Sequence, residues 1–352
     1  MLSSIGIKNL GCFDDYSYSV KFKKLNVIVG PNNSGKTMIL KALNLVRDYC
    51  DRGGVLAWNN LLCSLESNRV AVYNHDMNRM IEITVQYKVD SDLYDANLSI
   101  QNDARIIDQF SKNNQNQGTL AHTVHKKLTS QIWYFRPERD SIPYLTEIGA
   151  YTGGLQPISP SGNNVMQYIL ERFNARDERY SIAEEWIRKI DAKNSLLKTP
   201  VTVNSASVTM DRNDGKTSTE VNLSQQGSGI NNAITIIAGI IFSPPNSTII
   251  IEEPENYLNS RSIEYLVDLF NYAVNHLSKQ IIITTHSWEI MMAYCSDIGE
   301  GKDRGNTHEK ANPDDFQLIV FNEKLGSEKI TYYDIRGRKF SDVRSYFKDL
   351  WG

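Results

Sequence analysis

The eight residues Gly30-Pro31-Asn32-Asn33-Ser34-Gly35-Lys36-Thr37 have the types and spacing to hold a phosphate chain. They satisfy the pattern G-x-x-x-x-G-K-[ST], in which the loop backbone surrounds phosphate oxygens. Gly30 and Gly35 allow the backbone to curl until its N–H groups point inward, and the helix that follows presents its positive end to the anion. Lys36 is placed to reach the β- and γ-phosphates of a nucleotide, and the Thr37 hydroxyl to ligate Mg²⁺. A second chemical feature is the adjacent pair Glu252-Glu253 at the end of an apolar run, Thr248-Ile249-Ile250-Ile251. The first acid suits Mg²⁺, directly or through its waters, and the second suits orienting or deprotonating an attacking water. His286 ends a further apolar run, Gln280 to Thr285, and is expected to meet the γ-phosphate. In Leu223-Ser224-Gln225-Gln226-Gly227-Ser228-Gly229, hydroxyls and N–H groups stand ahead of an apolar helix, a second phosphate-type loop.

These side chains need strands that end at them and helices that begin there. Leu25-Asn26-Val27-Ile28-Val29 reads as a buried parallel strand, and Ile39, Leu43, Val46 and Cys50 have helical spacing. Ile230 to Phe242 is an apolar helix, and Ile263, Leu266, Val267, Phe270 and Val274 make an amphipathic one. Residues 2–24 read as two strands joined around Gly11, forming an antiparallel edge beside the phosphate-loop strand. The alternation from Ile81 to Val89 predicts a half-buried strand in a meander with the segment around Leu98. The polar tract 111–118, SKNNQNQG, is expected to be a loop or mobile link before the strand Ile132 to Phe135. Two helical runs between Asn164 and Leu197 predict a helical lobe, 201–221 a hairpin, and 316–333 a closing hairpin across Gly326. His122 and His125 lack further ligand-type neighbours and read as loop residues, not a zinc site. Residues 52–79 show no clear pattern, and 299–315 read as a charged loop. The tail carries Arg336, Arg338, Lys339 and Arg344 near Tyr346 and Trp351, and reads as a solvated terminal helix in preference to a basic-aromatic contact surface.

A chain of 352 residues accommodates one large α/β domain or two domains. A net charge of -3 and a pI near 6.1 exclude a global basic field, so any nucleic-acid contact needs a local patch or a partner. Cys12, Cys50, Cys63 and Cys295 have neither disulfide nor metal spacing and fit free thiols in a reducing cytoplasm. The N-terminus lacks a leader pattern, and the longest apolar stretch is too short to span a bilayer. The expectation is a cytoplasmic chain with no membrane segment.

Together GPNNSGKT, LSQQGSG, IIIEEPENYLN and IIITTHS resemble, in order and approximate spacing, the Walker A, signature, Walker B with D-loop, and switch-histidine motifs of ABC-type ATPases. The opening IGIKNLGCF and the EEPEN form of Walker B are similar to the branch holding SMC-like, recombination-repair and overcoming-lysogenisation-defect (OLD) ATPases. The resemblance covers most of the chain, weakly between residues 52 and 130. It implies an α/β fold, an ABC-type P-loop ATPase head with a mainly parallel core sheet, an antiparallel β subdomain and a helical lobe. One domain then spans 1–352: Walker A and the β subdomain in 1–150, the lobe in 151–200, the signature, Walker B and switch-histidine core in 201–298, and the charged loop, hairpin and terminal helix in 299–352. It also implies ATP and Mg²⁺ as cofactors and a homodimer or higher homo-oligomer, joined head to tail with ATP between Walker A and the partner's signature. On this resemblance Lys36 and Thr37 match the phosphate and Mg²⁺ residues, Glu252 the Walker B acid, Glu253 the catalytic glutamate, His286 the switch histidine, and Asn259 the D-loop position.

Some positions depart from the pattern. Glu252 stands where most ABC proteins have aspartate. Ser224 matches the signature serine by position, whereas Gly227-Ser228-Gly229 matches the GSG form of the OLD-like branch. No clean Q-loop is visible; Phe135-Arg136-Pro137-Glu138-Arg139 resembles a P-x-x-R element, which implies that Arg136 or Arg139 touches nucleotide or the partner subunit, with Gln86 a weaker candidate. Coiled-coil heptads are absent, against a true SMC protein. OLD proteins carry a TOPRIM nuclease after the ATPase, and the length after His286 leaves no room for one. The expected function is an ATPase controlling a separately encoded nuclease or toxin in bacterial anti-phage defence, by family analogy. The alternatives are a DNA-repair clamp-type ATPase, a transporter subunit, which needs a Q-loop, and a non-hydrolysing ATP-gated scaffold. Nucleic-acid contact is left open.

Overall fold

The computed structural model of the chain describes residues 1–52, 79–101, 106–113, 115–116, 118–137, 146–147, 158–190, 194–196, 205–206, 209–213, 218–294 and 312–333. The chain opens with β1 (Leu2–Lys8), β2 (Tyr18–Lys21), β3 (Leu25–Val29) and helix α1 (Lys36–Arg52). Then come β4 (Ile81–Val89), β5 (Asp92–Ile100), β6 (Ile106–Lys112), the short β7 (Gln115–Asn116), α2 (Gly118–Thr129), β8 (Ile132–Phe135) and the short β9 (Thr146–Glu147). Helices α3 (Val165–Asn174) and α4 (Arg179–Ile190) precede β10 (Asn194–Leu196), β11 (Ser205–Ala206), β12 (Thr209–Asn213) and β13 (Ser218–Asn222). The remainder is α5 (Ser228–Phe242), β14 (Thr248–Glu252), α6 (Ser260–His276), β15 (Gln280–Thr284), α7 (Trp288–Ala293), β16 (Phe316–Phe321) and β17 (Ile330–Tyr333).

Two compact units result, one from Met1–Ile132 with Pro313–Gly352, the other from Trp133–Asn312. In the first, β3 is buried at every residue, as a strand covered on both faces must be. It runs parallel to β16, with Val27 opposite Leu318, and β17 closes antiparallel on β16. A separate antiparallel sheet has the order β2-β1-β4-β5-β6-β7, and β4 alternates buried and half-buried as its sequence predicts. The β1–β2 pair is therefore not the neighbour of β3: its inward residues Ile5 and Ile7 face Val85 and Ile83 across the meander. Such a partner, some eighty residues away, cannot be read from local alternation.

The tract 111–118 also differs from the loop expected. Ser111 and Lys112 still belong to β6, pair with Asn116 and Gln115 in a tight return, and Gly118 already opens α2. Polar residues fill this edge because one face is solvated. His125 lies on α2, fully buried, its ring against Phe110 at 4.8 Å and edge-on to Tyr87 and Tyr94. It is a core histidine on a helix, not a loop residue. Cys12 and Cys50 are free thiols; Cys63, Cys295 and the basic tail from Arg336 to Trp351 lie outside the described residues.

The second unit is built on β14 and β15, parallel, in register from Thr248/Gln280 to Glu252/Thr284, and buried throughout. Strand β8 flanks β14. Helix α5 is apolar on all sides because α3, α4, α6 and β14 enclose it. Its C-terminal carbonyls are met by two basic side chains, one half-buried and one buried: Arg179 donates to Phe242 O (3.1 Å) and Ser243 O (3.2 Å), and Lys279 to Ser243 O (2.5 Å) and Pro244 O (2.6 Å). Burial, with Arg179 nearby, pushes Lys279 down to about 7. The predicted lobe is present as α3 and α4, and β12–β13 form the expected hairpin, with Asn213 opposite Ser218.

Candidate nucleotide site

In the first unit, β3 ends at Val29 and α1 begins at Lys36, so the six residues between form the loop. Gly30 (φ 151°) and Gly35 (φ 107°) adopt backbone angles open to glycine, and a Cβ on either would collide with its surroundings. At Gly30 it would meet Phe321 O at 2.3 Å; at Gly35 it would meet Cys12 Sγ and Phe13 Cζ, each at 2.7 Å. Asn33 takes a left-handed φ of 63°, which asparagine tolerates. Lys36 folds back into the loop and donates to Gly30 O (2.7 Å) and Pro31 O (2.8 Å), while Thr37 on the first turn of α1 is exposed. The Ser34 hydroxyl is buried without a hydrogen-bond partner. An inward cation, a helix N-terminus and an orphaned hydroxyl fit a phosphate chain.

In the second unit, β14 delivers Glu252 into a buried position, where the Tyr134 hydroxyl of β8 donates to its Oε1. Glu253 then leaves the strand with a left-handed φ of 44°, its N–H bonded to Thr284 O (2.9 Å) and its Oε2 accepting from Asn256 Nδ2 (3.0 Å). Bulky residues hold this conformation only where their surroundings impose it, and Tyr257 (φ 64°) does the same at the far end of the turn. The surroundings are visible. Asn232 of α5 donates to Pro254 O (3.3 Å) and Asn256 O (2.7 Å), and a Cβ on Gly229 would lie 2.3 Å from Tyr257 O. From the other side, Glu255 Oε1 accepts from Thr285 Oγ1 (2.6 Å) and from the His286 N–H (3.0 Å). Burial pushes the Glu255 carboxyl up.

Within this unit the structure brings together Glu252, Glu253, Gly229 and the backbone of His286. Gly227 caps α5 and Ser228 is its first residue. Ser224 instead sits in a 3₁₀ turn ahead of that helix, its N–H and hydroxyl both bonded to Asn222 Oδ1. Asn259 caps α6, its side chain accepting from Ser262 N–H at 3.0 Å. Arg136 is exposed just past β8; Arg139 lies outside the described residues. Gln86 belongs to the meander, where Ser4 and Asp95 engage both ends of its amide. Among the described residues no group of three or more His, Cys, Asp or Glu side chains could hold a metal ion.

Tyr134 lies in no sequence motif, and Glu255 lies inside EEPEN, a motif that by itself gives it no role. The only signal for Tyr134 is a hydroxyl in an otherwise apolar strand, which must find a partner when buried. If Glu252 receives Mg²⁺, Tyr134→Phe removes one hydrogen bond that orients its carboxylate. The expected result is a rise of about tenfold in the Mg²⁺ concentration needed for tight nucleotide binding, the usual scale for a lost outer partner. Binding isotherms over a Mg²⁺ series check this, and an unchanged midpoint removes Tyr134 from the site.

A family profile described as "AAA domain, putative AbiEii toxin, Type IV TA system" matches residues 25–292, from β3 into α7. The OLD nuclease of Thermus scotoductus (strain ATCC 700910 / SA-01) is 36% identical over 89 residues, which is 25% of this chain and only 14% of that protein. Solved SMC heads share the fold. One bound to the C-winged helix domain of ScpA aligns with a TM-score of 0.62 at 13% identity, over 95% of this chain and 98% of that one. The SMC head domain from Thermotoga maritima gives 0.54 at 12% identity, over 95% and 99%. An Smc head with an extended coiled coil, bound to the C-terminal domain of ScpA derived from Pyrococcus furiosus, gives 0.60 at 12% identity over the whole of both chains. The architecture is therefore an SMC-head-like α/β fold with mixed sheets.

Proposed function

The chain belongs to this AAA-domain family, among the SMC-like and OLD-like ABC ATPases, and from that premise we propose that it hydrolyses Mg·ATP as a head-to-tail dimer and so controls a separately encoded effector. The observation that carries the chemistry is the acid turn 253–257, clamped by Asn232 and Gly229 on one side and by Thr285 and His286 on the other. Preorganisation of this kind is what positions a water for attack.

In this reading Lys36 and the loop N–H groups bind the β- and γ-phosphates. Thr37 and Glu252 hold the metal, which supplies charge to the phosphate oxygens. Glu253 takes the proton of the attacking water, and His286 contacts the γ-phosphate. Gly227 and Ser228, at the start of a fifteen-residue helix, meet the phosphates of the other subunit. Gly227 supports this role: a Cβ there would touch nothing within 4 Å, leaving that backbone open to approach. Asn259, at the D-loop position, would meet the partner subunit through its backbone, since its side chain caps α6. Arg136 or Arg139 is the cation that would touch nucleotide or the partner.

Among the described residues no helix is long and apolar enough to cross a membrane. The cytoplasmic location proposed here rests on cysteines without disulfide spacing. The family's description names a toxin and a TA system, which supports a defence setting, and the nuclease or toxin partner is the further step of this proposal. A preference of one nucleotide state for that partner of about 1–3 kcal/mol gives a 5- to 150-fold switch. Pull-downs from the native operon with wild type, Lys36→Ala and Glu253→Gln test it: a co-encoded protein is retained in different amounts by the three. If none is retained, and deleting the neighbouring genes leaves the phenotype intact, a self-contained DNA-repair ATPase replaces this reading.

A further inference from the structure

We infer that Glu255 is a positioning residue that ties the acid turn to the His286 loop and holds His286 in register for the reaction. The inference rests on the ATPase reading above. One oxygen, Oε1, organises three consecutive residues: it accepts from Thr285 Oγ1 (2.6 Å) and the His286 N–H (3.0 Å), and Thr285 Oγ1 in turn accepts from the Ser287 N–H (2.9 Å). Ser287 Oγ then accepts from the Ile290 N–H (3.3 Å) and caps α7, so the chain of bonds runs from the acid turn into a helix. The two loops are joined a second time by Glu253 N–H to Thr284 O (2.9 Å), a backbone link that any residue at 253 supplies. The link at His286 depends on the Glu255 side chain.

The other oxygen, Oε2, is buried and has no hydrogen-bond partner. Desolvation and the neighbouring Glu253 raise this carboxyl, while Thr285 and the His286 amide pull it back. The tie to Thr285 and His286 needs one acceptor oxygen, which an amide also supplies. Since both donors use one oxygen, glutamine can reproduce the tie, whereas alanine cannot.

The test compares Glu255→Ala, Glu255→Gln and Glu253→Gln in the full chain. Glu255→Ala should lower kcat by about 30-fold or more while the ATP dissociation constant stays within about threefold, and Glu255→Gln should recover kcat to within about fivefold of wild type. Hydrogen exchange at the amides of residues 285–287 should quicken about tenfold or more in the alanine variant, with the 30–37 loop unchanged. If alanine leaves both kcat and this exchange as in wild type, or weakens ATP binding as much as turnover, the positioning role is wrong. If glutamine fails to rescue, the acceptor argument is wrong. If wild type itself does not turn over ATP, the ATPase reading falls, and the exchange result alone decides whether Glu255 positions the loop.

Discussion

Lys36→Ala will cost the protein its nucleotide and leave its fold standing. The ammonium is nearly buried at the first residue of α1 and already points into the loop, held by Gly30 O and Pro31 O. It is the cation there that a phosphate chain would take as partner. Charge-assisted hydrogen bonds are worth about 1.5–3 kcal/mol each, so losing two lowers ATP affinity about 100-fold or more. The fold does not need this side chain in the same way. Helix α1 is anchored by Ile39, Leu40, Leu43 and Val46, all buried, and alanine is a favourable helix residue. Calorimetric titration of ATP into the variant checks the loss, and a melting curve checks the fold. Unchanged affinity would remove the loop from the site.

The parts of this architecture that local pattern dictates were legible in the sequence. Strands β3, β14 and β15 are buried at every residue and mainly apolar because both their faces are covered, and each ends at a residue whose chemistry is unusual for its surroundings: Gly30, Glu252, and Thr285 before His286. The meander and the two lobe helices follow from periods of two and of 3.6. What stayed hidden depends on distant partners. The parallel pairing of β3 with β16 joins residues almost three hundred positions apart, and the true neighbour of β1 is β4. Helix α2 hid behind polar residues at its start, and buried His125 turned an expected loop into a helix packed on aromatic rings. Near Glu252 and His286, Tyr134 donates one hydrogen bond to Glu252 and Glu255 accepts two from Thr285 and His286, contacts that spacing does not encode.

Glu253→Gln separates binding from chemistry. The substitution is nearly isosteric, the left-handed backbone at 253 is imposed by the turn, and glutamine can still accept from Asn256 Nδ2. The phosphate loop is untouched, so ATP binds as before. What disappears is the proton acceptor, and a lost general base slows the chemical step by about 100-fold or more. Single-turnover hydrolysis with radiolabelled ATP checks this. A rate within a few-fold of wild type would move the base elsewhere.

The same variant gives the most direct test of the composite site. A dimer that ATP holds together and hydrolysis releases must accumulate when binding continues and hydrolysis stops. Light scattering of Glu253→Gln with and without Mg·ATP should show the 40.0 kDa chain alone without nucleotide and a species of twice that mass with it. A monomer under both conditions, or one oligomer that ignores nucleotide, contradicts an ATPase whose two subunits close around ATP.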